Sequence, residues 1–359
     1  MRAAVFVGID QPLAIEDVRP TAPGPRDVIV EIGASGVCHS DLSIMRGYVP
    51  LPPGVILGHE GTGRVVEVGK EVTKVSKGDR IVASFVPACG VCWFCLHDQS
   101  NHCEREPQTM MTPRGTRADG SPYLCMTGLG TFAEAITASE DSVVRIEGDV
   151  PDEQLALIGC GVTTGVGAAL NTARVAPGST VAVLGCGGVG QAVVQGARIA
   201  GAARIIAVDT VAMKREQAKK FGATDAVDPA QGDAVEQVKS LTGGRGVDYA
   251  FEVIGLPETI VQTYNMARTG GTVCIVGMSR IDAQITLPAF QLFYEEKKIL
   301  GSKYGSAQVR RDFQRFIDLI QAGRLDTSHM VSRTVALDQV NDAFRAMEAG
   351  EVIRSVIVG

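Results

Sequence analysis

Residues 180–209 read TVAVLGCGGVGQAVVQGARIAGAARIIAVD. TVAVL is an unbroken apolar run, GVGQAVVQGARIAG carries a helical rhythm, and RIIAVD is a second apolar strand. Between the first strand and the helix stand Gly185, Gly187 and Gly190, in the spacing G-x-G-x-x-G. Glycines at those places make a tight turn, let backbone approach a pyrophosphate, and let helix and strand pack closely. The helix N-terminus then offers free N–H groups to the phosphates. The spacing alone would also suit a glycine-rich structural turn. Asp209, ending the next strand nineteen residues after Gly190, favours the dinucleotide reading. A carboxylate there accepts the two ribose hydroxyls of NAD and repels the 2′-phosphate of NADP, and Thr210 and Val211 supply no arginine for that phosphate.

Downstream the alternation continues. MKREQAKKFG is a charged helix closed by Gly222, and DYAFEVIG and GTVCIVG are further buried strands. Apolar strands alternating with helices imply a parallel sheet covered on both faces. Upstream the rhythm differs: RAAVFV, DVIVEIGASGVC, GTGRVVEVG and DRIVASFV are short strands set off by Gly, Pro and Asp. PDEQLALIGCGVTTGVGAALNTA has helical periodicity weakened by its glycines. Two helices (VRRDFQRFIDLIQAG and LDQVNDAFRAMEAG) and the strand RSVIV follow residue 303. Fold class is therefore α/β, a mostly-β part beside a doubly wound parallel sheet, with a sharp boundary near 161 and a softer one near 303.

The chain holds 9 cysteines, an odd number, and its N-terminus MRAAVFVGID has an apolar run too short for a signal-peptide core. A reducing, cytoplasmic setting is expected, where clustered cysteines bind metal more often than they form disulfides. The uncharged stretches 154–173 and 175–197 are too rich in glycine and polar breaks to read as membrane spans. A net charge of −6 without any basic run argues against nucleic acid as a partner.

Four of the cysteines lie in CGVCWFCLHDQSNHC, residues 89–103, spaced C-x2-C-x2-C-x7-C. Cys89, Cys92, Cys95 and Cys103 suit a closed, four-thiolate structural zinc site with no position open to substrate. His97 and His102 fall in the same stretch and read as loop residues. Any reactive metal must then be held elsewhere. Cys38 in GVCHSD, His59 in LGHEG and Cys160 in IGCGV are candidates, although each alone reads equally well as core, and their spacing does not establish that they converge.

Taken together, CHSD at 38–41, GHE at 58–60, the four-cysteine lobe, GCGVTTG at 159–165, GCGGVG at 185–190, Asp209 and the terminal IRSVIV resemble the zinc-dependent medium-chain alcohol dehydrogenases along the whole chain. The resemblance implies a GroES-like catalytic domain, 1–161 plus 304–359, and an inserted Rossmann domain, 162–303, with the active site in the cleft between them. It implies NAD and two zinc ions per subunit. Cys38, His59 and Cys160 would hold the catalytic zinc, with Glu60 as an alternate ligand. Asp41 would orient the ligand histidine and Ser40 would take the alcohol's proton. His39 and Arg354 would contact the pyrophosphate, Thr164 and Val189 the nicotinamide, and Lys214 the adenosine ribose. Val49, Phe85, Met126 and Met278 would line an apolar pocket suited to a primary alcohol of medium-chain, aryl or allylic type. The activity implied is reversible hydride transfer between that alcohol and NAD, giving the aldehyde.

Two positions depart from the pattern. Ser43 stands where well-known members place the histidine ending the proton relay, and Lys303 stands where many carry an apolar pocket residue. Lys303 either points away or favours a polar or acidic substrate. Within the superfamily the alternatives are a thiol-adduct formaldehyde dehydrogenase, against which Val49 argues, and a polyol dehydrogenase, against which Cys160 argues. A nucleotide-binding redox sensor stapled by zinc is the alternative from another class. Relatives pair as dimers or tetramers through the edge of the nucleotide-domain sheet. A homodimer is expected, a homotetramer being the other possibility, and QITLPAFQLF (284–293) is either the pairing surface or buried core.

Overall fold

The computed structural model describes all residues, 1–359. The chain divides into two compact units, Met1–Gly161 together with Ala307–Gly359, and Val162–Ser306.

In the second unit six strands form one sheet, in the order Asp225–Val227, Arg204–Val208, Thr180–Leu184, Val247–Glu252, Ala267–Ile275 and Lys298–Gly301. All five pairings are parallel. The strands Thr180–Leu184 and Arg204–Val208 are apolar at every buried position because helices cover both faces, the doubly wound arrangement expected. Sequence order reverses between Thr180–Leu184 and Val247–Glu252, which opens a crevice at the carboxyl ends of those strands. The helix Gly188–Ile199 leaves the first of them, and Ala212–Phe221 follows Arg204–Val208, ending at Gly222 with φ +118°. Just before the edge strand Lys298–Gly301 in sequence, Phe290, Phe293 and Tyr294 are 71%, 77% and 69% exposed on the short helix Ala289–Tyr294. The buried-core reading of 284–293 is therefore excluded for the single chain.

The first unit holds two β-sheets. Five strands run antiparallel in the order Val55–Ile56, Arg2–Phe6, Ala14–Pro20, Gly115–Arg117 and Pro122–Tyr123. The other sheet is built on Asp27–Gly36, which alternates buried side chains with half-buried or exposed ones as far as Ala34, and pairs antiparallel with Glu60–Val68, Ala135–Ser139 and Arg354–Val358. Register here matters. Gly36 is opposite both Glu60 and Val356, so the residues just past Gly36 meet the start of one strand and the start of the chain's last one.

The stretch 151–173, read as one helix, is broken. A turn of helix at Asp152–Leu155 tightens to a 3₁₀ turn at Ala156–Gly159, Cys160 leaves helical geometry at φ −145°, ψ −72°, and helix resumes at Gly161–Gly167. Glycines at 159, 161, 165 and 167 lower the cost of that break. No single helix is long and apolar enough to cross a membrane.

Candidate metal centres and nucleotide loop

Cys38 occupies the N-cap of the helix His39–Met45 in extended geometry. Asp41, fully buried in the first turn, reaches back with both oxygens. Oδ2 accepts from the Cys38 N–H at 3.2 Å, and Oδ1 accepts from the Gly58 N–H at 2.9 Å and lies 3.3 Å from His59 Nδ1. One carboxylate thus fixes the peptides leading into two candidate ligands and the ring of one. Gly58 sits at φ +91°, and a Cβ there would come within 2.5 Å of the Phe132 nitrogen, so only glycine delivers His59 to this place.

The break at Cys160 completes the group. One ligand atom each from Cys38, His59, Glu60 and Cys160 lies within 4.8 Å of the others, and all four residues are buried. Two thiols, an imidazole and a carboxylate are the donor types zinc takes, and three protein ligands leave a position open. Donation from the Cys160 thiol, against the cost of burial and helped by Arg354 and His59, holds the Cys38 thiol well below its usual range, while Cys160 is pushed up. Burial opposes protonation of His59, yet the Asp41 carboxylate outweighs it and raises the imidazole. Burial pushes Glu60 up to about 7 despite Arg354. Zinc takes cysteine as thiolate and histidine as neutral imidazole, so metal binding here would be coupled to proton release.

Arg354 is 3% exposed, with its guanidinium 3.3 Å from Glu60 Oε1 and donating to the Val37 carbonyl at 3.1 Å. Neither Glu60 oxygen has a well-formed hydrogen bond. The arginine expected at the pyrophosphate thus also neutralises the carboxylate behind the metal group, a pairing that nothing in the local sequence announces. Phe85 presents its ring edge-on to His59, centroids 5.7 Å apart. Val49 and Met126 join the apolar cluster around Phe6, Leu57 and Phe132. Ser40 Oγ lies 3.8 Å from Cys38 Sγ, and the Ser43 hydroxyl donates to the His39 carbonyl within its own helix. His39 is exposed.

In the lobe, Cys89 and Cys95 sulfurs are 3.8 Å apart and Cys92 and Cys103 sulfurs 3.9 Å apart, all four within 4.8 Å. A tetrahedron with Zn–S bonds near 2.3 Å has sulfurs about 3.8 Å apart, so this cluster fits zinc closely. Burial opposes ionisation of Cys92, but N–H groups of Glu104 and Cys95 bring it down to about 6, while burial pushes Cys95 and Cys103 up. His97 stacks on Trp93 with its Nδ1 2.7 Å from the Trp93 carbonyl, and neither it nor His102 belongs to the sulfur cluster.

The glycine loop belongs to the second unit. A Cβ on Gly190 would lie 1.9 Å from the Gly185 carbonyl oxygen, which makes glycine obligatory there. Asp209 stands at the loop's mouth: Oδ2 accepts from the Cys186 N–H and Oδ1 from the Val211 N–H, both at 2.8 Å. Val189, Thr164 and Lys214 are partly exposed in the same unit, as is Met278 at 51%, and Lys303 is exposed. Sequence reasoning missed Gln191, a fully buried amide directly after Gly190.

Residues 24–148 match the family described as alcohol dehydrogenase GroES-like domain, and residues 188–322 the one described as zinc-binding dehydrogenase. The S-(hydroxymethyl)glutathione dehydrogenase of Synechocystis sp. is 39% identical over 366 residues, 99% of each chain. Benzyl alcohol dehydrogenase from Acinetobacter calcoaceticus, 29% identical, matches in structure with a TM-score of 0.93 over 99% of this chain and 98% of that one. A protein from Sinorhizobium meliloti 1021, classed with the zinc-binding dehydrogenases and solved bound to NADP, matches with a TM-score of 0.83 at 29% identity, over 100% of this chain and 99% of that one.

Proposed function

The chain belongs to the zinc-dependent medium-chain alcohol dehydrogenases, and from that premise we propose that it interconverts a primary alcohol and its aldehyde with NAD as hydride carrier. The observation that carries this reading is the convergence of Cys38, His59 and Cys160 from distant parts of the sequence, with Asp41 behind the imidazole.

Cys38, His59 and Cys160 would hold zinc, which when bound acidifies an alcohol hydroxyl and polarises an aldehyde carbonyl. Asp41 keeps the imidazole oriented and electron-rich. Ser40, beside Cys38, takes the hydroxyl proton and passes it toward solvent as the substrate carbon gives up hydride. Glu60, balanced by Arg354, stands ready as an alternate ligand. Cys89, Cys92, Cys95 and Cys103 would hold a second, structural zinc.

Asp209 supports NAD over NADP, because its carboxylate, held by two N–H groups, would repel a 2′-phosphate. The apolar surroundings of Val49, Phe85 and Met126 suit an aryl, allylic or medium-chain alcohol, in keeping with the benzyl alcohol named for the Acinetobacter relative. A second reading takes S-(hydroxymethyl)glutathione, named for the Synechocystis relative, but Val49 offers no polar group to that substrate.

The strand Lys298–Gly301 pairs on one side only, and the aromatic side chains of Ala289–Tyr294 are exposed near it in sequence. An open edge beside exposed apolar side chains suits a second copy of the chain, hence a homodimer. Nine cysteines with no disulfide among them suit the cytoplasm. The test is metal analysis together with nicotinamide reduction across an alcohol panel that includes the glutathione adduct. Two zinc ions per chain and turnover of aryl or allylic alcohols with NAD are expected; zinc-replete protein that oxidises no alcohol overturns the reading.

A further inference from the structure

We infer that Gln191 is a positioning residue for the dinucleotide: its side-chain amide sets the spacing between the glycine loop and the helix Ala212–Phe221, and with it the hold on Asp209. The inference rests on the NAD reading above.

Gln191 is the first residue after the last glycine of the loop and is completely buried. Its Nε2 donates to the Cys186 carbonyl at 2.8 Å and to the Lys214 carbonyl at 2.9 Å. Two carbonyl acceptors consume both amide hydrogens. They also fix which way the amide faces, because the flipped amide would set its oxygen against two oxygens. Oε1 is left buried without a partner. An apolar side chain of similar length would fill this volume without stranding an acceptor, as Ala192, Val193 and Val194 do beside it. What the position uses is therefore the NH₂ group and not the bulk.

That group ties together the same two segments that Asp209 ties. Asp209 accepts from Cys186 N–H on the loop and from Val211 N–H at the head of the helix Ala212–Phe221. Gln191 grips the Cys186 carbonyl on the loop and the Lys214 carbonyl in the first turn of that helix. Both peptides flanking Cys186 are thereby pinned. Arg215 adds a brace, donating to the Asp209 carbonyl at 2.7 Å and to Asp228 at 2.8 Å. With Gln191 removed, the tie from the Cys186 peptides to the helix head falls to the carboxylate that must also receive the ribose, braced from the helix by Arg215. Asp209 then loses the fixed aim that favours two hydroxyls and excludes a phosphate.

The test compares NADH and NADPH binding, by fluorescence titration of the zinc-loaded protein, in wild type, Gln191→Met and Gln191→Glu. Gln191→Met keeps length and removes both donors, while Gln191→Glu turns an oxygen on both carbonyls. The expected result is a roughly tenfold rise in the NADH dissociation constant, the worth of about one net hydrogen bond. NADPH binding should hold or improve, so the ratio of the two affinities falls. If both variants keep the wild-type ratio and only melt at lower temperature, Gln191 is a packing residue and the inference is overturned. An equal loss for both dinucleotides overturns it too, as general collapse of the loop. Wild-type protein that binds neither sinks the cofactor reading and this inference with it, whereas a discriminating wild type beside unchanged variants sinks this inference alone.

Discussion

Asp41 Oδ1 receives the Gly58 N–H at 2.9 Å and lies 3.3 Å from His59 Nδ1, inside a site where both residues are buried. A carboxylate behind a ligand imidazole fixes the tautomer, leaving Nε2 for the metal. Because Asp41 also holds the Cys38 N–H, its removal disturbs two proposed ligands together. Asp41→Asn should weaken the catalytic zinc by roughly 10- to 100-fold in chelator competition while leaving the lobe zinc in place. Equal loss of both ions would point to global unfolding instead.

Ser40 and Ser43 are three residues apart in one helix, yet their hydroxyls do different things. Ser43 donates to the His39 carbonyl at 2.9 Å, a bond that serves the helix, while Ser40 stands 3.8 Å from the Cys38 sulfur. Ser40→Ala should lower kcat by roughly 10²- to 10⁴-fold, the scale of a lost proton-transfer group, and Ser43→Ala should change it little. Equal effects in steady-state kinetics would remove Ser40 from the relay.

Glu60 and Arg354 form a pair sealed from water, with side chains 0% and 3% exposed. Breaking such a pair from one side costs about 3 to 5 kcal/mol, because a charge stays buried without its partner. Burial already pushes Glu60 up to about 7 with the arginine present, so without Arg354 the carboxyl should rise further and take a proton. The penalty of Arg354→Met should therefore be larger at pH 8 than at pH 6, and Glu60→Gln in the same chain should recover most of it. Urea unfolding at the two pH values checks this; a cost independent of pH would mean that the arginine acts through packing alone.

The parallel sheet was legible because its strands are apolar runs bounded by glycines, and because G-x-G-x-x-G and Asp209 are close in sequence. The lobe was legible for the same reason: four sulfurs in fifteen residues leave little else to be. Convergence of Cys38, His59 and Cys160 was not, since it depends on the register that places Gly36 opposite Glu60 and on a helix broken at Cys160. Residue-level resemblance supplied what spacing could not. Gln191 stayed hidden because a single glutamine in a helical stretch signals nothing until the carbonyls it meets are known. The exposed aromatics of 289–294 were ambiguous because an apolar run reads alike whether it faces a core or a partner.

Beneath the lobe, Glu140 and Asp141 hold a network whose response to acid has a definite sign. Glu140 Oε2 accepts from the N–H groups of Thr73 and Lys74 at 2.8 and 3.0 Å, and Oε1 pairs with Arg26 at 2.7 Å. Asp141 meets Lys74 and, at 2.7 Å, Arg105, while Lys74 also donates to the carbonyls of Ala88 and Cys89 at 3.2 Å. Burial opposes ionisation of both carboxyls, but the N–H groups around Glu140 and the Lys74 and Arg105 cations around Asp141 prevail and hold both below their ordinary values of 4.5 and 3.8. On acidification the unfolded chain thus binds protons first. The stabilisation is complete above those ordinary values and drains away as pH falls through the lower folded ones. The contribution of this network to stability against urea should stay level down to about pH 5 and then fall. Asp141→Asn, though weaker at neutral pH, should show a shallower acid limb, since it has one carboxyl fewer to titrate. Zinc loss in acid is common to both proteins and leaves that difference intact; parallel acid limbs would show that the network contributes nothing to acid sensitivity.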